Sequence, residues 1–167
     1  VVEYLTKKQI LQLQARTRVL RDWLLVTTQY QTGCTVSELT HIKREDIREH
    51  DILIDGRVCR VSTELLQKLS RYLKNHDSPY VFVSRQQPQL TDKRVQQIIK
   101  KRLKELDPKL SKATPHVLRY SHIVHAAKQN IPLRSIMDQT GLGELRLTQI
   151  LSDVLPAQEN AYERMFT

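Results

Sequence analysis

Glycine, cysteine and aromatic residues are all scarce in this chain, which holds four glycines, two cysteines and 5% aromatics among 167 residues. Few glycines and only six prolines, beside 40% apolar residues, exclude a disordered, low-complexity chain. They suit one globular domain spanning residues 1–167, long enough to bury its own core. The two cysteines, Cys34 and Cys59, lie near apolar residues at no metal-like spacing. Neither a disulfide nor a zinc site follows from them, and two free thiols in an intracellular protein are expected. No signal-peptide pattern and no membrane-length apolar run is present, so a cytoplasmic protein without membrane contact is expected. What the chain has in excess is positive charge. The formal charge is +9 and the pI about 9.7, a balance typical of polyanion binders and shared by many soluble domains.

Thr6-Lys7-Lys8-Gln9 reads as a capping box opening a helix that carries Ile10, Leu11 and Leu13. A longer apolar helix from Val19 through Tyr30 should end near Gly33, with Arg16, Arg18 and Arg21 crowding its first turns. Residues 51–61 alternate around Asp55-Gly56, a strong type I′ hairpin signal. Ser62 caps a helix bearing Leu65, Leu66, Leu69 and Leu73. Tyr80 to Val83 reads as a short strand, and Leu90 to Val95 opens a helix running through Leu106. Leu133, Ile136 and Met137 fit another helix, and residues 157–166, after Pro156, read as a short terminal one. The pattern predicts a mainly α fold with a small antiparallel β-sheet (α+β), built from the 51–61 hairpin and the 80–83 strand.

The stretch richest in chemistry begins Thr114-Pro115-His116-Val117-Leu118-Arg119. Thr114 suits a helix cap and Pro115 its first turn. His116 and Arg119 then lie three apart on one face, able to converge on one small anion. A guanidinium fork beside an imidazole can hold a phosphodiester and manage its protons. Taken alone, such a pair is more often a surface feature of a basic helix. His122 and His125 continue the row without a third ligand, so no metal site is read.

Joined to Thr32-Gly33-Cys34-Thr35-Val36-Ser37-Glu38-Leu39, Phe82-Val83-Ser84-Arg85, Leu90-Thr91, Thr140-Gly141-Leu142 and Thr148-Gln149-Ile150-Leu151, this stretch resembles the catalytic domain of tyrosine recombinases (phage integrase family, Xer-like). The likeness runs nearly the whole chain in segment order. It implies the tyrosine recombinase catalytic-domain fold and phosphodiester chemistry on double-stranded DNA. It also implies a working set of two arginines, a hairpin lysine, two histidines and a nucleophilic tyrosine. His116 and Arg119 stand at retained positions. Thr35 occupies the place of the first arginine, Leu142 that of the second histidine and Leu151 that of the tyrosine. The hairpin turn carries Arg57 but no lysine. Thr35 and Glu38 make a capping box, so local structure should survive the lost charge.

Leucine offers no oxygen to attack phosphorus, and each missing cationic donor costs roughly 3–4 kcal/mol of transition-state stabilisation. The expectation is a DNA-binding member of that family that has lost strand cleavage. It would contact duplex DNA through Arg57, Arg85, Lys93, Arg94, Lys100, Lys101 and Arg119, with no cofactor or metal. The basic residues of the helix after Thr91 equally suit a solvated face. Two alternatives stay open. One is an active strand-exchange recombinase whose nucleophile has moved to Thr148, Ser152 or Tyr162; the other is a protein-interaction module that no longer binds DNA. The resemblance further implies that the tail docks on a neighbouring protomer of a homo-oligomer. Because the chain opens at Val1 without Met, it is expected to be a fragment lacking an N-terminal DNA-clamp domain.

Overall fold

The computed structural model describes residues 3–154, 163 and 165–167. Helix α1, Lys7–Arg16, starts at the foreseen capping box: the Gln9 N–H donates to the Thr6 hydroxyl at 3.1 Å, and the Thr6 N–H to Gln9 Oε1 at 2.8 Å. Helix α2, Leu20–Thr32, is the centre of the fold. It is buried on almost every face, from Asp22 through Tyr30, with the polar Thr27, Thr28 and Gln29 buried alongside its apolar residues. It ends on Gly33 at φ 67°, whose N–H caps the Gln29 carbonyl at 2.8 Å. Short α3, Val36–Thr40, follows at once.

The hairpin pairs β1, Asp51–Ile54, with β2, Arg57–Arg60, in the register Ile52↔Cys59 and Ile54↔Arg57. Asp55 and Gly56 both take positive φ, as a type I′ turn demands. Helices α4, Thr63–Leu73, and α5, Asp92–Leu106, lay apolar stripes against α2. Helix α6, Val117–Lys128, also packs on α2 and carries α7, Leu133–Thr140, and α8, Glu144–Ser152. One large apolar core joins α1 to α5, the hairpin and the start of α6. A second, smaller cluster of Ile123, Ala126, Ile136, Leu147 and Ile150 binds α6, α7 and α8 together. The fold is mainly helical with one antiparallel two-stranded sheet.

Three expectations are corrected. Tyr80 to Val83 is not a strand of the hairpin sheet; Tyr80 makes only an isolated bridge to Lys43. Val81 and Phe82 are buried in the core, and their backbone groups are satisfied by Ile42, His76 and Leu90 rather than by a ladder. Arg16 belongs to the last turn of α1, where the dipole favours it, and donates to the Leu106 carbonyl at 3.3 Å. Arg21 is indeed in the first turn of α2, beside Asp22, which it meets at 3.0 Å; Asp22 also takes Arg102 at 2.6 Å. Finally, α6 begins at Val117, with His116 as its N-cap residue. The Thr114 hydroxyl accepts the His116 N–H at 3.0 Å, closing a turn before the helix rather than capping it. The terminal helix expected at 157–166 falls for the most part outside the described residues, as do Leu155, Pro156 and Tyr162.

Candidate phosphate site and nucleic-acid interface

The site is assembled at the end of α2. Because Gly33 adopts a left-handed turn, its carbonyl is free to accept Arg119 Nη1 at 3.0 Å. The next turn is set by Thr35, the N-cap of α3. The Glu38 N–H donates to the Thr35 hydroxyl at 3.1 Å, and the Thr35 N–H to Glu38 Oε1 at 2.9 Å. The capping box expected there is therefore formed, without a cation at position 35.

Glu38 does more than cap. Arg57 grips it from the hairpin, Nη1 to Oε2 at 2.6 Å and Nη2 to Oε1 at 3.1 Å, while Arg119 Nη1 lies 3.7 Å from Oε1. Burial opposes the Glu38 charge, yet the Arg57 hydrogen bonds, the Thr35 N–H and the two guanidinium charges hold its carboxyl below the ordinary range. The Arg119 guanidinium is itself pulled down by burial, with Glu38 working against that shift. His116, half-buried at the head of α6, has its proton affinity lowered by burial and then by the Arg119 charge. Its Nδ1 is buried and has no partner among the described residues. At neutral pH it is a neutral ring beside the Arg119 cation.

Leu142, after α7, and Leu151, in α8, belong to the second apolar cluster. Both are partly buried, beside fully buried Leu147 and Ile150. Among the hydroxyls considered as substitutes, Ser152 is exposed and donates to the Gln149 carbonyl of its own helix at 2.9 Å, and Thr148 is exposed.

A basic face lies on α5. Lys93, Arg94, Lys100 and Lys101 are exposed, while Val95, Ile98, Ile99 and Leu103 are buried on the opposite side. None of these four cations forms an ion pair among the described residues, in contrast to Arg102, which Asp22 and Glu105 hold. Lys93 and Lys100 line a groove of about 320 Å³ whose other wall is Ala113, Thr114 and Pro115, the lead-in to His116. Arg85 is exposed in the loop before α5.

The sequence model of the phage integrase family matches residues 3–156. This chain belongs to the phage integrase family. The tyrosine recombinase XerA of Pyrococcus horikoshii is 32% identical over 163 aligned residues, covering 90% of this chain and 56% of the relative. XerA of Pyrococcus furiosus is 35% identical over 149, covering 81% and 51%. The chain thus spans about half the length of the curated relatives it matches. The crystal structure of XerA recombinase superposes with a TM-score of 0.79 at 23% identity, covering 98% of this chain and 64% of that one. The XerH site-specific recombinase bound to difH substrate gives 0.74 at 16% identity, covering 100% and 54%. These likenesses establish the tyrosine recombinase catalytic-domain fold.

Within this integrase-family domain, sequence reasoning named Arg57 only as a DNA-contacting cation, without its grip on Glu38, and missed Gln139. Arg57 reads in sequence only as a cation near a turn, although a capping carboxylate with no arginine at position 35 leaves Glu38 in need of one. Gln139 ties β2 to α7: its side chain accepts from the Arg60 N–H and donates to the Gln31 and Arg60 carbonyls, and its own carbonyl accepts from Arg57 Nε at 3.3 Å. Nothing local marks it. Both thiols are inert, since burial pushes Cys34 up to about 12 and Cys59 to about 11.

Proposed function

We propose that this chain is a DNA-binding domain of the phage integrase family that does not cleave strands. The observation that carries the reading is the apolar packing of Leu151 on the α6–α8 cluster, at the position where the resemblance puts the family's nucleophile. Support for DNA as the partner comes from the basic face of α5, without ion pairs among the described residues, next to Thr114 and Pro115, and from the difH-bound state of the structurally similar XerH site-specific recombinase. In this reading Arg57, Arg85, Lys93, Arg94, Lys100, Lys101 and Arg119 neutralise phosphates, and His116 and Arg119 are remnants of a catalytic set. The chain is one domain, it acts in the cytoplasm without a cofactor, and further copies engage it through the C-terminal tail.

Binding to a random-sequence duplex should weaken by roughly a thousandfold between about 50 and 200 mM salt, because phosphate neutralisation releases counterions. Affinity that is flat across salt, or missing at low salt, would sink the DNA reading. Cleavage is tested on a nicked suicide duplex. Neither the wild type nor Leu151→Tyr should form a covalent adduct, since a phenol at 151 would still lack a cation at position 35 and a lysine in the hairpin. Adding Thr35→Arg and Leu142→His to Leu151→Tyr brings a third guanidinium to a carboxylate that Arg57 already grips through both oxygens. A wild-type adduct would overturn the inactive reading outright.

A further inference from the structure

Glu38 is a single carboxylate shared by two guanidiniums that reach it from distant parts of the chain. Arg57 arrives from the first residue of β2 and takes both oxygens; Arg119 arrives from α6 and lies 3.7 Å from Oε1. Both guanidiniums thereby meet at one carboxylate. Charge counting separates their roles. Arg119 and Glu38 alone sum to zero, and a neutral pair offers an anion little reason to leave water. Arg57 brings the trio to +1. Asp55 approaches Arg57 at 3.9 Å, but its side chain is 82% exposed and solvent screens it. Thr35 contributes no charge.

Arg57 is also held in place on a second side. Its Nε donates to the Gln139 carbonyl at 3.3 Å, and its guanidinium lies against Gly141, where a Cβ would come within 2.7 Å of Nη1. Gly141 immediately precedes Leu142, so Arg57 spans from α3 to the C-terminal end of α7. Arg119 is anchored through Nη1 to the Gly33 carbonyl, and its other N–H groups have no acceptor among the described residues. His116 adds a neutral ring with an unpartnered Nδ1 near Arg119.

We propose that Arg57 and Arg119 form one phosphate-binding pair braced by Glu38, with Arg57 supplying the cation that Thr35 does not. The pair is a binding device, and the proposal rests on the DNA-binding reading above. It is tested on the full chain with a random-sequence duplex and, separately, with inorganic pyrophosphate in a thermal-shift assay. Arg57→Gln and Arg119→Gln should each weaken duplex binding roughly five- to tenfold and lower the salt slope by about one phosphate. Arg57→Lys should keep most of that slope. The deciding variant is Glu38→Gln with Arg57→Gln. If Arg57 only neutralised Glu38, the double variant would regain wild-type affinity and slope, and the proposal would fall; if Arg57 faces phosphate, the double variant stays as weak as Arg57→Gln. Duplex binding that Arg57→Gln leaves unchanged also overturns the pair, while the DNA reading survives. Should the wild type ignore duplex yet be stabilised by pyrophosphate in an Arg57-dependent way, the pair stands and the DNA reading falls. Failure to bind either probe overturns both.

Discussion

Gly33→Ala is expected to destabilise the protein by about 2–5 kcal/mol, because two independent costs meet at this position. The first is conformational: Gly33 sits at φ 67°, where any Cβ crowds its own backbone. The second is packing. An added Cβ would lie 2.7 Å from Thr140 Cγ2 and 2.9 Å from His122 Cδ2. Neither neighbour can yield freely. His122 Nδ1–H donates to the Tyr30 carbonyl at 2.8 Å, and the Thr140 hydroxyl donates to the Ile136 carbonyl at 2.7 Å. Gly56 is the internal control, since it has φ 76° but nothing within 4 Å of the place its Cβ would take. Gly56→Ala should therefore show the conformational cost alone, about 1–2 kcal/mol. Equal losses in urea unfolding of the two variants would dismiss the close approach as an energetic factor. Because the Gly33 carbonyl also anchors Arg119, Gly33→Ala should weaken the proposed duplex binding as well as folding.

Acidification should cost up to about 3 kcal/mol of stability between pH 6.5 and 4, with His122 as the main source. Burial pulls His122 from its ordinary 6.5 to about 4, with the neighbouring His125 and Arg119 charges acting in the same direction and the Tyr30 hydrogen bond against it. The unfolded chain therefore takes up the proton first. The stabilising contribution of neutral His122 is complete above about pH 6.5 and is lost as the pH falls towards 4. His116 and His125, also shifted down chiefly by burial, act in the same sense. Glu38, held below the ordinary carboxylate range, extends the loss to still lower pH as it protonates and releases Arg57. Urea midpoints measured across this window test the assignment. His122→Gln keeps a donor for the Tyr30 carbonyl but cannot titrate, so its profile should be flatter; an unchanged slope would move the effect to other groups.

The sequence by itself determined the local features of this protein. Thr6 with Gln9 and Thr35 with Glu38 specify helix starts because capping is a contact between residues three apart. Asp55-Gly56 specifies a type I′ hairpin because few residues accept two successive positive φ values. The apolar stripes of α4 and α5 follow from a 3.6-residue period, and the resemblance that led to the integrase fold rested on short segments kept in order. Leucine at 142 and 151 was equally plain, as a side chain's chemistry is independent of where it lies.

Tertiary structure decided whatever depends on partners distant in sequence. Val81 and Phe82 have strand-like side chains, yet core burial between Ile42 and Leu90 leaves them outside any ladder. His116 is the N-cap of α6 rather than a residue of its first turn, because the chain turns at Thr114 to His116 before entering the helix. Above all, only the folding of the hairpin onto α3 and α7 brings Arg57 to Glu38 and Gly141. A carboxylate that takes its cation from a distant strand leaves no trace in local pattern, since electrostatic balance is settled by distance in space.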